Sequence, residues 1–205
     1  MVPLLDRIPG AAAPAAESLA NATGDLTEAL RHSLVTIRSE SGGGSGTAWR
    51  RDGLIITNHH VVPGEQAEVI LPDGRALHGR VVARDIENDL AAISVDAELT
   101  PVKAGDSARL RAGEMVFAVG NPWGLRGSIA AGIIFAAGPA PEGGLPVREV
   151  IRADIHLAPG NSGGPLADAR GRVIGINSMI AGGMGVAIPA NTIGRFIAER
   201  VGDGS

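Results

Sequence analysis

The chain has 205 residues, 44% hydrophobic and 20% charged, with 18 Lys and Arg against 22 Asp and Glu. That balance supports one packed domain, or one domain built of two lobes, and excludes a wholly disordered chain. A net charge of −4 without a long basic run excludes a nucleic-acid partner, no apolar run is long enough for a membrane-spanning helix, and the absence of cysteine excludes disulfides, thiolate metal sites and cysteine nucleophiles.

In chain order, Met1-Val2-Pro3-Leu4-Leu5 is broken by Asp6 and Arg7 too soon for a secretory signal, so the expected location is cytoplasmic. Residues 1–24 read as an N-terminal Ala/Pro-rich arm, with 9–22 of low complexity. A short helix is predicted from Asp25 to His32, where Leu26, Ala29 and Leu30 fall at helical spacing. From Leu34 the pattern changes to short aliphatic runs bounded by Gly, Pro, Asn or Asp. The chain carries 30 glycines and only 2% aromatic residues, which reads as many tight turns joining many strands around a core without rings. Strands are predicted at Leu34–Arg38, Thr47–Arg50, Leu54–Thr57, Ala67–Leu71, Gly79–Ala83, Leu90–Val95, Met115–Gly120 and Gly132–Ala136. They continue at Val150–Leu157, Pro165–Ala167, Val173–Ser178 and Gly185–Ile188. No helical pattern separates consecutive strands, so a sandwich or closed barrels are favoured over a doubly wound parallel sheet. After Pro189, Asn191 is the expected N-cap of an amphipathic closing helix with Ile193, Phe196, Ile197 and Val201 on one face, and residues 202–205 form a tail.

The most specific segment is Gly160-Asn161-Ser162-Gly163-Gly164-Pro165. Its glycines allow turn conformations that leave the Ser162 hydroxyl exposed, and the same turn can aim the N–H groups of Gly160 and Ser162 at one oxyanion. The stretch also fits the G-x-S-x-G elbow of α/β-hydrolases, but that arrangement needs a histidine after the serine and none follows Ser162. A serine needs a base, and His59 and His60 end the strand Leu54–Thr57, whereas His32 and His78 look solvated. Strand periodicity does not choose between His59 and His60. The base needs a buried carboxylate, and Asp89 opens the apolar run Leu90–Ile93, with Asp85 between Arg84 and Glu87 as its rival. Histidine, aspartate and serine then follow the chymotrypsin chain order.

These residues resemble those of trypsin-like, chymotrypsin-fold serine proteases, and most of all the protease domain of the HtrA/Deg family without a PDZ domain. The matching stretches are Thr57-Asn58-His59-His60-Val61-Val62, Asp89-Leu90-Ala91-Ala92-Ile93, Ala118-Val119-Gly120-Asn121-Pro122 and Ala158-Pro159-Gly160-Asn161-Ser162-Gly163-Gly164-Pro165-Leu166. Further matches are Ile174-Gly175-Ile176-Asn177 and Ala187-Ile188-Pro189-Ala190-Asn191. The resemblance implies a mainly β fold of two six-stranded antiparallel β-barrels and a C-terminal helix, with the protease domain at 25–201. It selects His60 over His59 and Asp89 over Asp85, and implies a triad of His60, Asp89 and Ser162 with an oxyanion hole at Gly160 and Ser162. Asn161 carries no charge, so the activating ion pair that digestive relatives make with an aspartate before the serine is not expected. Ser178, Met179 and Ile180 match the strand that pairs with an extended substrate, Gly185 is assigned to the same site, and His156 falls where the base of the primary specificity pocket is expected.

The expected activity is therefore that of a serine endopeptidase acting on proteins or peptides through an acyl-enzyme, with no cofactor and no metal. The rival is a latent or non-hydrolytic peptide-binding cleft on the same fold. No nucleic-acid or membrane partner is expected. The first aromatic residue is Trp49, so the aromatic N-terminal contacts of HtrA trimers are lacking and a monomer or weak homo-oligomer is expected.

Overall fold

The computed structural model describes residues 12–40, 42–140 and 147–202. The elements are α1 (Ala12–Arg31), β1 (Leu34–Ser39), β2 (Gly42–Ala48), β3 (Leu54–Thr57), β4 (Gln66–Ile70), β5 (Ala76–Asp85) and β6 (Leu90–Ser94). They continue as β7 (Met115–Gly120), β8 (Ser128–Pro139), β9 (Glu149–Asp154), β10 (Pro165–Asp168), β11 (Val173–Ala181), β12 (Met184–Pro189) and α2 (Ala190–Arg200). The strands close into two antiparallel barrels, in the orders β1-β2-β3-β6-β5-β4 and β10-β11-β12-β9-β8-β7. The twelve predicted strands are all present, and closure leaves neither sheet with an unpaired edge along its whole length.

The aliphatic runs explain the layers. In β3, Ile55 points into the first barrel with Ile37, Val69 and Ile93, whereas Leu54 and Ile56 point out of it. Both faces of the strand are buried, which is why Leu54-Ile55-Ile56 is a continuous apolar run instead of an alternating one. Leu54, Ile56, Leu90 and Ala92 meet Ile176, Val186 and Ile188 of the second barrel in a seam that Ile193 and Phe196 of α2 close. The second barrel has its own core of Val116, Ile134, Ile151, Leu166 and Ile174.

Several predicted boundaries move, and three of the shifts have a clear physical reason. The strand expected from Thr47 starts at Gly42, and β2 pairs through its glycines with β1, from Ser39↔Gly42 to Leu34↔Thr47. Tertiary packing overrides their low strand preference: a Cβ on Gly46 would lie within 2.9 Å of side-chain atoms of Ile37, Ile55 and Val35. The helix expected from Asp25 begins at Ala12 and takes up residues 12–24 of the expected arm; residues 1–11 lie outside the described residues. Alanine-rich sequence is good helix, and Pro14 falls in the first turn, where the missing N–H has no intrahelical partner in any case. Leu26 and Leu30 then dock this helix on Val119, Ala167 and Val173. Finally, α2 starts two residues early, with Pro189 in the cap position. Asn191 is not the cap. Its Oδ1 accepts from the Ser107 N–H (3.1 Å), and the Ser107 Oγ accepts from the Asn191 N–H (3.1 Å), so the helix start is satisfied from another segment. No helix among the described residues is long and apolar enough to cross a membrane.

Ile176 lies wholly buried in the seam between the barrels. Replacing it by Ala is expected to lower the unfolding free energy by about 2–5 kcal/mol, read from urea denaturation. A loss well under 1 kcal/mol would show that the seam is loosely packed.

Candidate active site

His60 is carried out of the first barrel by a single 3-10 turn, His59–Val61, that follows β3. Asp89 stands at the entrance to β6, 7% exposed, with a left-handed backbone (φ 54°) that aspartate tolerates better than most residues. Its main-chain oxygen accepts from the His59 N–H (3.1 Å) and from Asn58 Nδ2 (3.0 Å), locking the two segments together. The His60 Nδ1 lies 2.8 Å from Asp89 Oδ2 and 3.0 Å from Oδ1, and the His60 N–H also donates to Oδ1 at 3.1 Å. A carboxylate can only accept, so the Nδ1 carries the proton and Nε2 is left as the basic nitrogen.

The alternatives separate cleanly. The Nδ1 of His59 accepts from Arg84 Nη1 (3.0 Å), and the same guanidinium donates to the carbonyl oxygens of Val62 (2.6 Å) and Gly64. Asp85 accepts from the N–H and Nδ2 of Asn88. Neither belongs to the His60–Asp89 pair.

Ser162 lies in the connection between β9 and β10, held by both barrels. From the first, the Ser45 N–H donates to Ser162 O (2.8 Å), Ser45 Oγ to Gly160 O (2.7 Å) and Thr47 Oγ1 to Gly163 O (3.0 Å). From the second, Asn177 O accepts from the Gly163 N–H at 2.8 Å. Two glycines make this approach possible. Gly160 has φ 103°, and a Cβ there would lie 2.5 Å from Asn121 O; Gly163 has φ 85°, with Ser45 O at 1.9 Å from the same hypothetical atom. The N–H groups of Gly160 and Ser162 donate to no acceptor among the described residues, whereas the intervening Asn161 N–H is taken by Ala158 O (3.0 Å).

Ser162 does not meet His60 directly. The Ser162 hydroxyl donates to the main-chain oxygen of Ser178 (2.6 Å), and among the described residues it makes no bond to His60. Ser178 Oγ in turn donates to Asp89 Oδ2 at 2.8 Å. Ser178 sits where the β11–β12 register slips between Asn177 and Met179, so this one residue presents its carbonyl to Ser162 and its hydroxyl to Asp89. The sequence placed Ser178 on the substrate strand and missed this bridging position. Burial pushes the Asp89 carboxyl up, but the hydrogen bond and charge of His60, with the Ser178 hydroxyl, outweigh it and hold the group below its ordinary value of 3.8.

A cavity of about 190 Å³ opens beside Ser162, lined by Leu157, Ala158, Pro159, Ser178, Met179 and Ile180. His156 is absent from it. The residue is exposed between buried Ile155 and Leu157, and it is Leu157 that lies on the cavity wall. Gly185 acts only indirectly: a Cβ there would lie 2.6 Å from Ile155 Cγ2 and 3.1 Å from Leu157 Cδ1, so its bareness gives Leu157 room. The alternation of Ile155 and Leu157 was the available signal for this wall.

The profile of the family described as the trypsin-like peptidase domain matches residues 44–176. Protease Do-like 1, chloroplastic, of Arabidopsis thaliana is 37% identical over 181 residues, 82% of this chain and 41% of that protein. A protein of Chlamydia trachomatis serovar D named "Probable periplasmic serine endoprotease DegP-like" is 37% identical over 169 residues, 78% of this chain and 34% of its own length. The chain thus spans about two fifths or less of the length of these curated relatives. Among solved structures, "HtrA-type protease AlgW with tripeptide" superposes with a TM-score of 0.78 at 33% identity, covering 86% of this chain and 63% of that one. The names of the two relatives place one in a chloroplast and one in a periplasm, which overturns the cytoplasmic expectation; Met1–Arg7 by themselves carried no information on compartment.

The Asp89 carboxylate yields a pH prediction. A folded-state value below the unfolded one means that its stabilisation is in place above the ordinary value of 3.8 and is lost as pH falls through the folded value. Asp89→Asn, which keeps a side chain suited to the left-handed backbone, is expected to be less stable than wild type at pH 7. The gap should narrow as urea titrations are carried from pH 7 down to pH 3, and a gap independent of pH would refute the ionised pairing.

Proposed function

This chain belongs to the trypsin-like peptidase family, in its HtrA/Deg branch, and on that premise we propose that it is a serine endopeptidase cleaving extended segments of protein or peptide substrates. The observation that carries the reading is the unbroken run of hydrogen bonds from Ser162 through Ser178 to Asp89 and His60 across the seam of the barrels. The relatives support a compartment outside the cytoplasm.

In the proposed reaction a peptide lies along β11 beyond Ser178, with the side chain before the scissile bond in the apolar cavity of about 190 Å³. The N–H of that same residue is the natural donor for the Ser178 oxygen, which Ser162 occupies in the free protein. Substrate docking therefore releases the serine hydroxyl, which turns to Nε2 of His60. Ser162 Oγ attacks the carbonyl carbon as Nε2 takes its proton, and the N–H groups of Gly160 and Ser162 receive the oxyanion. His60 then protonates the leaving amine, and water, deprotonated by the same nitrogen, hydrolyses the acyl-enzyme. Asp89 stays ionised throughout and holds the imidazolium. Leu157, Met179 and Ile180 make the cavity apolar, which suits a small or medium aliphatic side chain.

The second reading, a latent or non-hydrolytic peptide-binding cleft, is favoured by the same engagement of Ser162 by Ser178 O in place of His60. Labelling with a fluorophosphonate probe separates the two, with the adduct mapped by mass spectrometry and cleavage of unfolded casein followed in parallel. An adduct on Ser162 that is lost in Ser162→Ala is expected. Turnover should fall about 10⁶-fold in Ser162→Ala or His60→Ala, as in comparable triads, and about 10⁴-fold in Asp89→Asn through the wrong tautomer. Absence of the adduct from folded protein, with and without peptide, would leave the binding cleft alone.

A further inference from the structure

Arg152 is a half-buried arginine whose charge is unanswered. Its Nε is sealed from solvent without a hydrogen-bond partner among the described residues, and no ion pair reaches the guanidinium among them. The group lies 5.8 Å from the centroid of the Phe135 ring, which is 55% exposed. A buried N–H donor left without an acceptor is costly, and in a native structure it calls for an explanation.

Register places this cation relative to the cleft. Arg152 on β9 is opposite Val186 on β12, and Val186 is opposite Met179 on β11. Directly opposed residues share a face, so Arg152 and the cavity-lining Met179 are on the same side of the sheet. Asp154, two residues further along that face, is exposed and makes no ion pair with Arg152. The Nη2 of Arg152 extends to the β11–β12 turn, where a Cβ on Gly182 would lie 3.6 Å from it.

The other edge of β11 is open beyond residue 177, because β10 pairs only with residues 173–176. A peptide added there runs antiparallel to β11, since its scissile bond must lie at Ser162 and Ser178 O. The residue before that bond is abreast of Ser178, the second upstream abreast of Met179, and the fourth abreast of Ala181. With a period of two, the second and fourth side chains face the Arg152 side, and the fourth is the one next to the turn that Nη2 reaches. Resting on the endopeptidase reading above, we infer that Arg152 is a specificity residue selecting an acidic side chain at the fourth position upstream of the scissile bond. The exposed ring of Phe135 borders the guanidinium and strengthens the contact by limiting water. The basic group that the sequence assigned to substrate selection, His156, faces solvent instead.

The test uses two internally quenched peptides identical except for Glu or Gln at that fourth position. Wild type is expected to favour the Glu peptide about tenfold in kcat/KM at low salt, with the preference shrinking as salt is added. Arg152→Gln should erase the preference, Arg152→Glu should reverse it and Arg152→Lys should keep most of it. Equal rates on both peptides with wild type, or a preference that survives in Arg152→Gln, would overturn the inference. The same peptides carrying a fluorophore are titrated with Ser162→Ala by anisotropy, where the ratio of Kd values needs no turnover. Binding that favours Glu tenfold without cleavage of either peptide by wild type would refute hydrolysis and keep the role of Arg152. Cleavage of both at equal rates would do the reverse.

Discussion

The hydrogen bond from Ser178 Oγ to Asp89 Oδ2, at 2.8 Å, spans the two barrels and joins the two halves of the candidate site. The first barrel supplies His60 and Asp89, and the second supplies Ser162 and the strand proposed to carry substrate. Neither half is a site by itself. What holds them in register is the aliphatic seam of Leu54, Ile56, Leu90 and Ala92 against Ile176, Val186 and Ile188, reinforced by the three bonds that Ser45 and Thr47 send to the Ser162 turn. A packed interface resists sliding because every shift opens voids, so a contact of hydrogen-bond length can be kept between separate bodies. The closing helix belongs to the same device, since Ile193 and Phe196 complete the seam and Asn191 ties its start to Ser107.

The aliphatic composition has a structural cost that glycine offsets. With very few rings to fill the barrels, side chains such as Ile37, Ile55 and Val35 meet over a bare Gly46. The same residue type serves the chemistry for a different reason at Gly160 and Gly163, where the chain needs φ values of 103° and 85° and backbone atoms crowd the space a Cβ would take. One residue type thus answers a packing problem in the strands and a conformational one in the turn.

This double use also decides what could be read from the sequence. The strand run Leu54–Thr57 and the order His60, Asp89, Ser162 were legible because both-sided burial and a three-residue constellation leave dense local marks. The strand expected from Thr47 starts at Gly42, because a glycine-rich strand leaves no local mark until the neighbours that fill the space are known. Choosing His60 over His59 required the family motif, as strand periodicity says nothing once the chain enters the 3-10 turn. Asn191 was a reasonable cap by type, but its partner is 84 residues away at Ser107, and no local window contains that contact. His156 was placed by counting back from Ser162, whereas the alternation of buried Ile155 and Leu157 on either side sets its direction. Ser178 left no mark of its bridging role, because that depends on a register slip between β11 and β12.

The slip at Ser178 matters for how the site could work. A regular strand would commit the carbonyl to a neighbouring strand and turn the hydroxyl to one face, whereas the irregularity frees both groups for Ser162 and Asp89. The Ser178 oxygen is then a single acceptor sought by two donors, the resting nucleophile and the incoming peptide. Occupation by the peptide removes the best partner of the Ser162 hydroxyl inside the site and leaves the basic Nε2 of His60 as the next one. Under the proposed reaction the hydroxyl is kept away from His60 until a main chain in the right register lies along β11, which would couple recognition of the backbone to release of the Ser162 hydroxyl through one oxygen atom.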